Sequence, residues 1–126
     1  MEETLWPGGP TRTEVDKIKA DLQAKGYPTD LFEVTAGPVR CITRVIPRIE
    51  FNEIGKTTFN EAAQKKMGEA EANDAFNVAL LKSALVWTPE GFSIDDPKTT
   101  AAGVIPTLIE KVMACSGFDE QPPRRI

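Results

Sequence analysis

The fold turns on one stretch: Leu31-Phe32-Glu33-Val34-Thr35, then Ala36-Gly37-Pro38, then Val39-Arg40-Cys41-Ile42-Thr43-Arg44-Val45. Both flanks are rich in β-branched and aromatic side chains, and the glycine and proline between them break the run, so the pattern predicts a β-hairpin. Side chains alternate across a strand with period two. Val39, Cys41, Thr43 and Val45 therefore share one face, which suits the core, and Arg40, Ile42, Arg44 and Ile46 share the other. Isoleucines interleaved with arginines make that second face stickier than solvation requires. A second helix or a neighbouring chain is expected to cover it.

Upstream, Thr11 and Glu14 have capping-box spacing, and Val15, Ile18 and Leu22 recur at helical intervals. Gly26 stops this helix, Tyr27 is placed to pack back on its last turn, and Pro28 forbids continuation. Before it, Pro7, Gly8, Gly9 and Pro10 deny a helix and leave residues 1–10 as an arm with Trp6 as its one large anchor.

Downstream, Pro47 suits a helix start ahead of Ile49, Phe51 and Ile54. Gly55 weakens that helix, and Thr58 with Glu61 repeats the capping-box spacing, so the segment is expected to restart there or to kink. Residues 68–74 are acidic and weakly apolar, the composition of a solvated helix start or a connector. Phe76 to Trp87 carries two apolar stripes and is expected to be the central buried helix, ended by Thr88-Pro89-Glu90-Gly91. A loop with Asp95 and Asp96 leads to a last helix, capped by Thr99 or Thr100, with Ile105, Leu108, Ile109, Val112 and Cys115 along one side. Ser116-Gly117-Phe118 has the order of a Schellman ending, and Asp119 to Ile126 is expected to be a tail. The fold class is therefore α+β: an N-terminal helix and β-hairpin followed by a small α-helical bundle, with extended N- and C-terminal arms. Residues 11–118 form the single domain, flanked by arm 1–10 and tail 119–126.

Length and composition agree with one core. The chain has 126 residues, 15 basic and 19 acidic side chains, 40% hydrophobic residues and no histidine. A chain of this size can bury roughly two-thirds of its unfolded surface without disulfides. The missing histidine removes the commonest neutral-pH acid/base and the commonest nitrogen ligand for transition metals. Ser83, Ser93 and Ser116 sit in no nucleophile elbow, and Gly8-Gly9 and Gly103 match no phosphate loop. Asp95, Asp96 and Glu90 lack the oxygen-rich spacing of a calcium loop. Nothing in the sequence calls for a cofactor or a metal, and no enzymatic activity is expected. Cys41 and Cys115 lie far apart without CxxC spacing and read as buried free thiols.

The net charge of -4 argues against nucleic acid as a partner, although residues 37–66 taken alone are basic. No apolar run reaches the roughly 20 residues needed to span a bilayer, and the acidic start is unlike a secretory signal, so a cytosolic protein with no membrane partner is expected. What remains is an interaction protein. Its candidate partner-binding residues are Trp6 in the arm, Arg40, Ile42 and Arg44 on the strand face, Arg48 beyond it, and Arg124 and Arg125 in the proline-rich tail.

The order of pieces resembles the small tail-assembly chaperones and baseplate-hub assembly proteins of tailed bacteriophages. The likeness is carried by Cys41-Ile42-Thr43-Arg44-Val45-Ile46-Pro47-Arg48-Ile49-Glu50-Phe51, by Ala79-Leu80-Leu81-Lys82-Ser83-Ala84-Leu85-Val86, and by Ala102-Gly103-Val104-Ile105-Pro106 through Cys115-Ser116-Gly117-Phe118. It covers most of residues 14–118. Arg44 and Glu50-Phe51 fit the family's arginine-to-glutamate-aromatic element, whereas Val45-Ile46-Pro47 departs from its proline placement. The resemblance implies a protein made in the host cytoplasm that shields hydrophobic segments of a tape-measure or baseplate-hub protein during morphogenesis. The alternative it leaves is a structural component of the tail or baseplate, held by its terminal arms to tail-tube or hub neighbours or to further copies of itself.

Overall fold

A computed structural model of the chain describes residues 2–95, 102–118 and 125–126. The hairpin forms as the pattern predicts. Strand β1 (Leu31–Ala36) pairs antiparallel with β2 (Val39–Arg44), from Leu31 opposite Arg44 to Ala36 opposite Val39. The two-residue loop places Gly37 at φ 60°, in the first central position, where hairpin turns of the primed type need a left-handed residue.

Helix α1 (Arg12–Ala24) starts on the capping box: Thr11 Oγ1 accepts from the Glu14 amide, and the Glu14 carboxylate accepts from Thr11 N. It ends with Gly26 at φ 77° and Tyr27 N donating to Leu22 O at 3.0 Å, the backbone bond of a Schellman ending, while the Tyr27 ring lies against the Arg44 guanidinium. Ahead of α1, residues 4–11 close into a loop. Gly9 N donates to Trp6 O across a turn with Pro7 and Gly8 in its central positions, and Leu5 N donates to Pro10 O. Proline then glycine at positive φ is the order a type II turn requires, and Gly8 has φ 79°.

Helix α2 (Arg48–Gln64) runs without a break through Gly55, and Thr58, expected to cap a restart, is a buried mid-helix residue. Packing overrides the weak local propensity: Phe51 and Phe59 both meet Phe76 of α3 (Glu69–Ala84), and the Gly55 backbone lies against the same ring. The acidic stretch 68–74 is the start of α3, with Gly68 as its N-cap.

The expected helix from Phe76 to Trp87 needs correction. α3 ends at Ala84, and Leu85–Trp87 is strand β3, added antiparallel to β2 to give the sheet order β1-β2-β3. Ile42 pairs with Trp87 and Thr43 with Leu85, with a register shift between them. The apolar stripes continue through Leu85-Val86-Trp87 at helical spacing, but these residues also suit a strand, and β2 offers an open ladder. Tertiary pairing decides the conformation. Helix α4 (Val104–Met113) follows, and a wider turn over Ala114–Phe118 ends with Gly117 at φ 97°. Asp96, Thr99 and Thr100 lie outside the described residues.

The sheet is covered on both sides. Val34, Ala36 and Cys41 on one face meet Leu80, Leu81 and Ala84 of α3 and Leu108, Ile109 and Val112 of α4. Leu31, Ile42 and Trp87 on the other meet Val15, Ile18 and Leu22 of α1, together with Trp6 and Ile126. Each fully buried leucine, isoleucine or valine among these contributes about 1.5–3 kcal/mol. α2 packs against α3, with Phe51 and Ile54 reaching the first of these clusters.

Candidate partner-binding site

The strand face expected to be open is closed by the chain itself. Ile42 is 0% exposed, covered by α1 and the Trp6 loop, and so offers a partner nothing. Arg44 is 6% exposed and fully engaged: Nε donates to the Ser83 carbonyl at 2.9 Å, both terminal nitrogens bind the Glu50 carboxylate, and the guanidinium lies 4.7 Å from the centre of the Tyr27 ring. These two residues are corrected from partner-binding to structural. A helix returning from earlier in the chain covers the face, one of the two coverings the alternation had left open.

Trp6 is likewise inside, 8% exposed, its ring edge-on to Trp87 at 5.6 Å between centroids. It is an internal anchor whose rim still borders a surface cleft of about 250 Å³, lined by Leu5, Trp6, Arg12, Glu33, Arg40, Arg125 and Ile126. Three of the expected residues, Trp6, Arg40 and Arg125, thus converge here from the N-terminal loop, β2 and the C-terminal segment. The Arg40 guanidinium sits 4.4 Å from the Trp6 ring centre, and its Nε donates to Glu33 Oε1 at 2.6 Å. Arg125 pairs with Asp30, Phe32 bridges to Arg125, and Ile126 N donates to Leu31 O at 2.8 Å, so the last two residues extend the sheet beyond β1. Arg124 lies outside the described residues.

Arg48 stands apart, exposed at the first turn of α2. It borders a second, mainly apolar groove of about 430 Å³ with Ile46, Phe51, Asn52, Ser116 and Gly117. Ser116 Oγ accepts from Ile46 N at 3.0 Å, which fixes the entry to α2 against the end of α4 and shapes the groove floor. Arg48 pairs with no carboxylate among the described residues. Along the same helix Ile49 is 73% and Phe59 43% exposed. Isolated exposed apolar residues are ordinary, but these two share a helix with an apolar groove and an unpaired cation. The sequence pattern marks Ile49, Phe51 and Ile54 as apolar residues of this helix without assigning them faces. At 100° per residue Ile49 lies opposite Phe51, Ile54, Thr58 and Ala62, a signal that would have set it outside.

Reactive groups are sparse. Cys41 and Cys115 are buried free thiols, and desolvation pushes each thiol up to about 12, which keeps them protonated and inert near neutrality. Asp95 pairs with Lys82 at 2.7 Å. Among the described residues no three acids or cysteines gather as a metal site, and no helix is long and apolar enough to cross a membrane. No family model, curated protein or solved structure matches the chain.

Proposed function

We propose that the chain is a non-enzymatic tail-assembly protein that binds and shields an apolar helical segment of a tail protein, either tape measure or baseplate hub, during phage morphogenesis. The resemblance across residues 14–118 motivates the class. The observation that carries the mode of action is the outer flank of α2, where the exposed Ile49 and Phe59 share a side of the helix with Asn52, which with Arg48 forms the near rim of the Ile46/Phe51 groove. An amphipathic client helix would lay its apolar stripe along this flank, with an acidic residue meeting Arg48. Two or three fully desolvated side chains at about 1.5–3 kcal/mol each, less the costs of association, give a reversible complex, as a chaperone needs.

The inward packing of Trp6 and Ile126 supports this reading over a structural component held by its arms. Trp6 is buried in the chain's own second core and Ile126 packs against it, so these two apolar side chains serve the chain's own fold. Quantitative mass spectrometry of purified virions against infected-cell extract tests the choice. A chaperone is abundant in extract and lost from particles, whereas stoichiometric copies in mature particles would refute the reading.

A further inference from the structure

We propose that the Trp6/Arg40 cleft is a receptor for a carboxylate borne on a small apolar body, with Arg40 as the recognising group. Arg40 is held in place twice, by its stacking on Trp6 and by the bond from Nε to Glu33. A guanidinium has five N–H donors, and only the one on Nε has an acceptor among the described residues. The two terminal nitrogens form the fork that matches a carboxylate in bidentate fashion, already oriented, so little side-chain entropy remains to be lost on binding.

The walls set the rest of the ligand. Arg12 and Arg125 add positive charge, and among the described residues their ion pairs are with Asp16 at 3.7 Å and with Asp30, both on the exposed surface. Glu33 places a negative charge beside Arg40, which favours a monoanion over a doubly charged phosphate. Leu5, Trp6 and Ile126 supply an apolar wall for a hydrocarbon body, and a cavity of about 250 Å³ is smaller than the ~300–1,000 Å³ pockets of drug-sized ligands. The carboxylate could be a free short-chain acid or an acidic side chain flanked by leucines in a partner segment. This site is separate from the α2 flank and does not depend on its role.

Tryptophan fluorescence reports the cleft, because Trp6 lines it and the chain's other tryptophan, Trp87, lies edge-on to Trp6. The full chain is titrated at constant ionic strength with hexanoate, with the peptide acetyl-Leu-Glu-Leu-amide, and with inorganic phosphate. Saturable change with hexanoate or the peptide, weaker response to phosphate, and at least a tenfold loss of affinity in Arg40→Lys support the proposal, the lysine keeping the charge and removing the fork. A stronger response to hexanoate assigns the free acid, and a stronger one to the peptide assigns a partner side chain. No saturable change with either probe, tighter binding of phosphate, or undiminished binding in Arg40→Lys at unchanged melting temperature would overturn it.

Discussion

Arg44 Nη1 donates to Glu50 Oε2 at 2.8 Å, tying the last residue of β2 to the first turn of α2 across the Pro47 bend. The same guanidinium reaches the Ser83 carbonyl near the end of α3, so one side chain fixes where α2, α3 and the sheet meet. This junction sets the angle at which the outer flank of α2 is presented.

Removing that cation should therefore destabilise the whole fold. Breaking a buried ion pair from one side leaves an uncompensated charge and costs about 3–5 kcal/mol, and because Glu50 keeps some solvent contact the lower end is expected for Arg44→Ala. Urea denaturation measures it. A loss below about 1 kcal/mol would show that the junction is not held by this pair.

Gly9 is required by the Trp6 ring rather than by backbone conformation. A methyl group there would fall 2.7 Å from indole atoms Cδ2, Cε2 and Nε1, so Gly9→Ala must push the ring out of its seat. Overpacking of this kind costs about 1–3 kcal/mol. Thermal unfolding should show the loss together with a red shift in emission, and an unshifted spectrum at wild-type stability would contradict the placement of Trp6.

The thiols give a pH dependence. Both are raised from 9.0 to about 12 on folding, so between these values the native state holds protons that the unfolded state has released. Stability should therefore fall as pH rises from 9 toward 12, and the fall should be shallower in Cys41→Ser. At pH 8 an aromatic disulfide reagent should react slowly with the native protein and take up two thiols at once in guanidinium. Fast native labelling would refute the burial.

Local signals carried much of this fold. Thr11 and Glu14 mark α1, Gly26 and Tyr27 its end, and Gly37-Pro38 the hairpin, because capping and turn chemistry lie within a few residues. What escaped the sequence is non-local. Leu85-Val86-Trp87 continues the stripes of α3 and becomes a strand only because β2 is there to pair with it. Ile42 and Arg44 read as outward because period two shows that a strand has two faces, not that α1 returns to cover the second. At the cleft, Trp6, Arg40 and Arg125 stood out as candidates, whereas Glu33 and Arg12 join them only through the register of β1 against β2 and the docking of the N-terminal loop.

The α2 flank separates binding from folding. Ile49 is mostly in water, so Ile49→Asp should change stability by no more than about 0.5 kcal/mol. Phe59 stacks on Phe76, so Phe59→Asp should cost more, about 1–2 kcal/mol, while leaving the protein folded by circular dichroism.

Co-expression with the cognate tape-measure or hub protein tests the central claim most directly, with the soluble fraction of that client as the readout. Wild-type protein is expected to keep the client soluble and to co-purify with it, and Ile49→Asp to lose both while folding normally. A client that is equally soluble with wild type, with the variant and with neither would contradict the account.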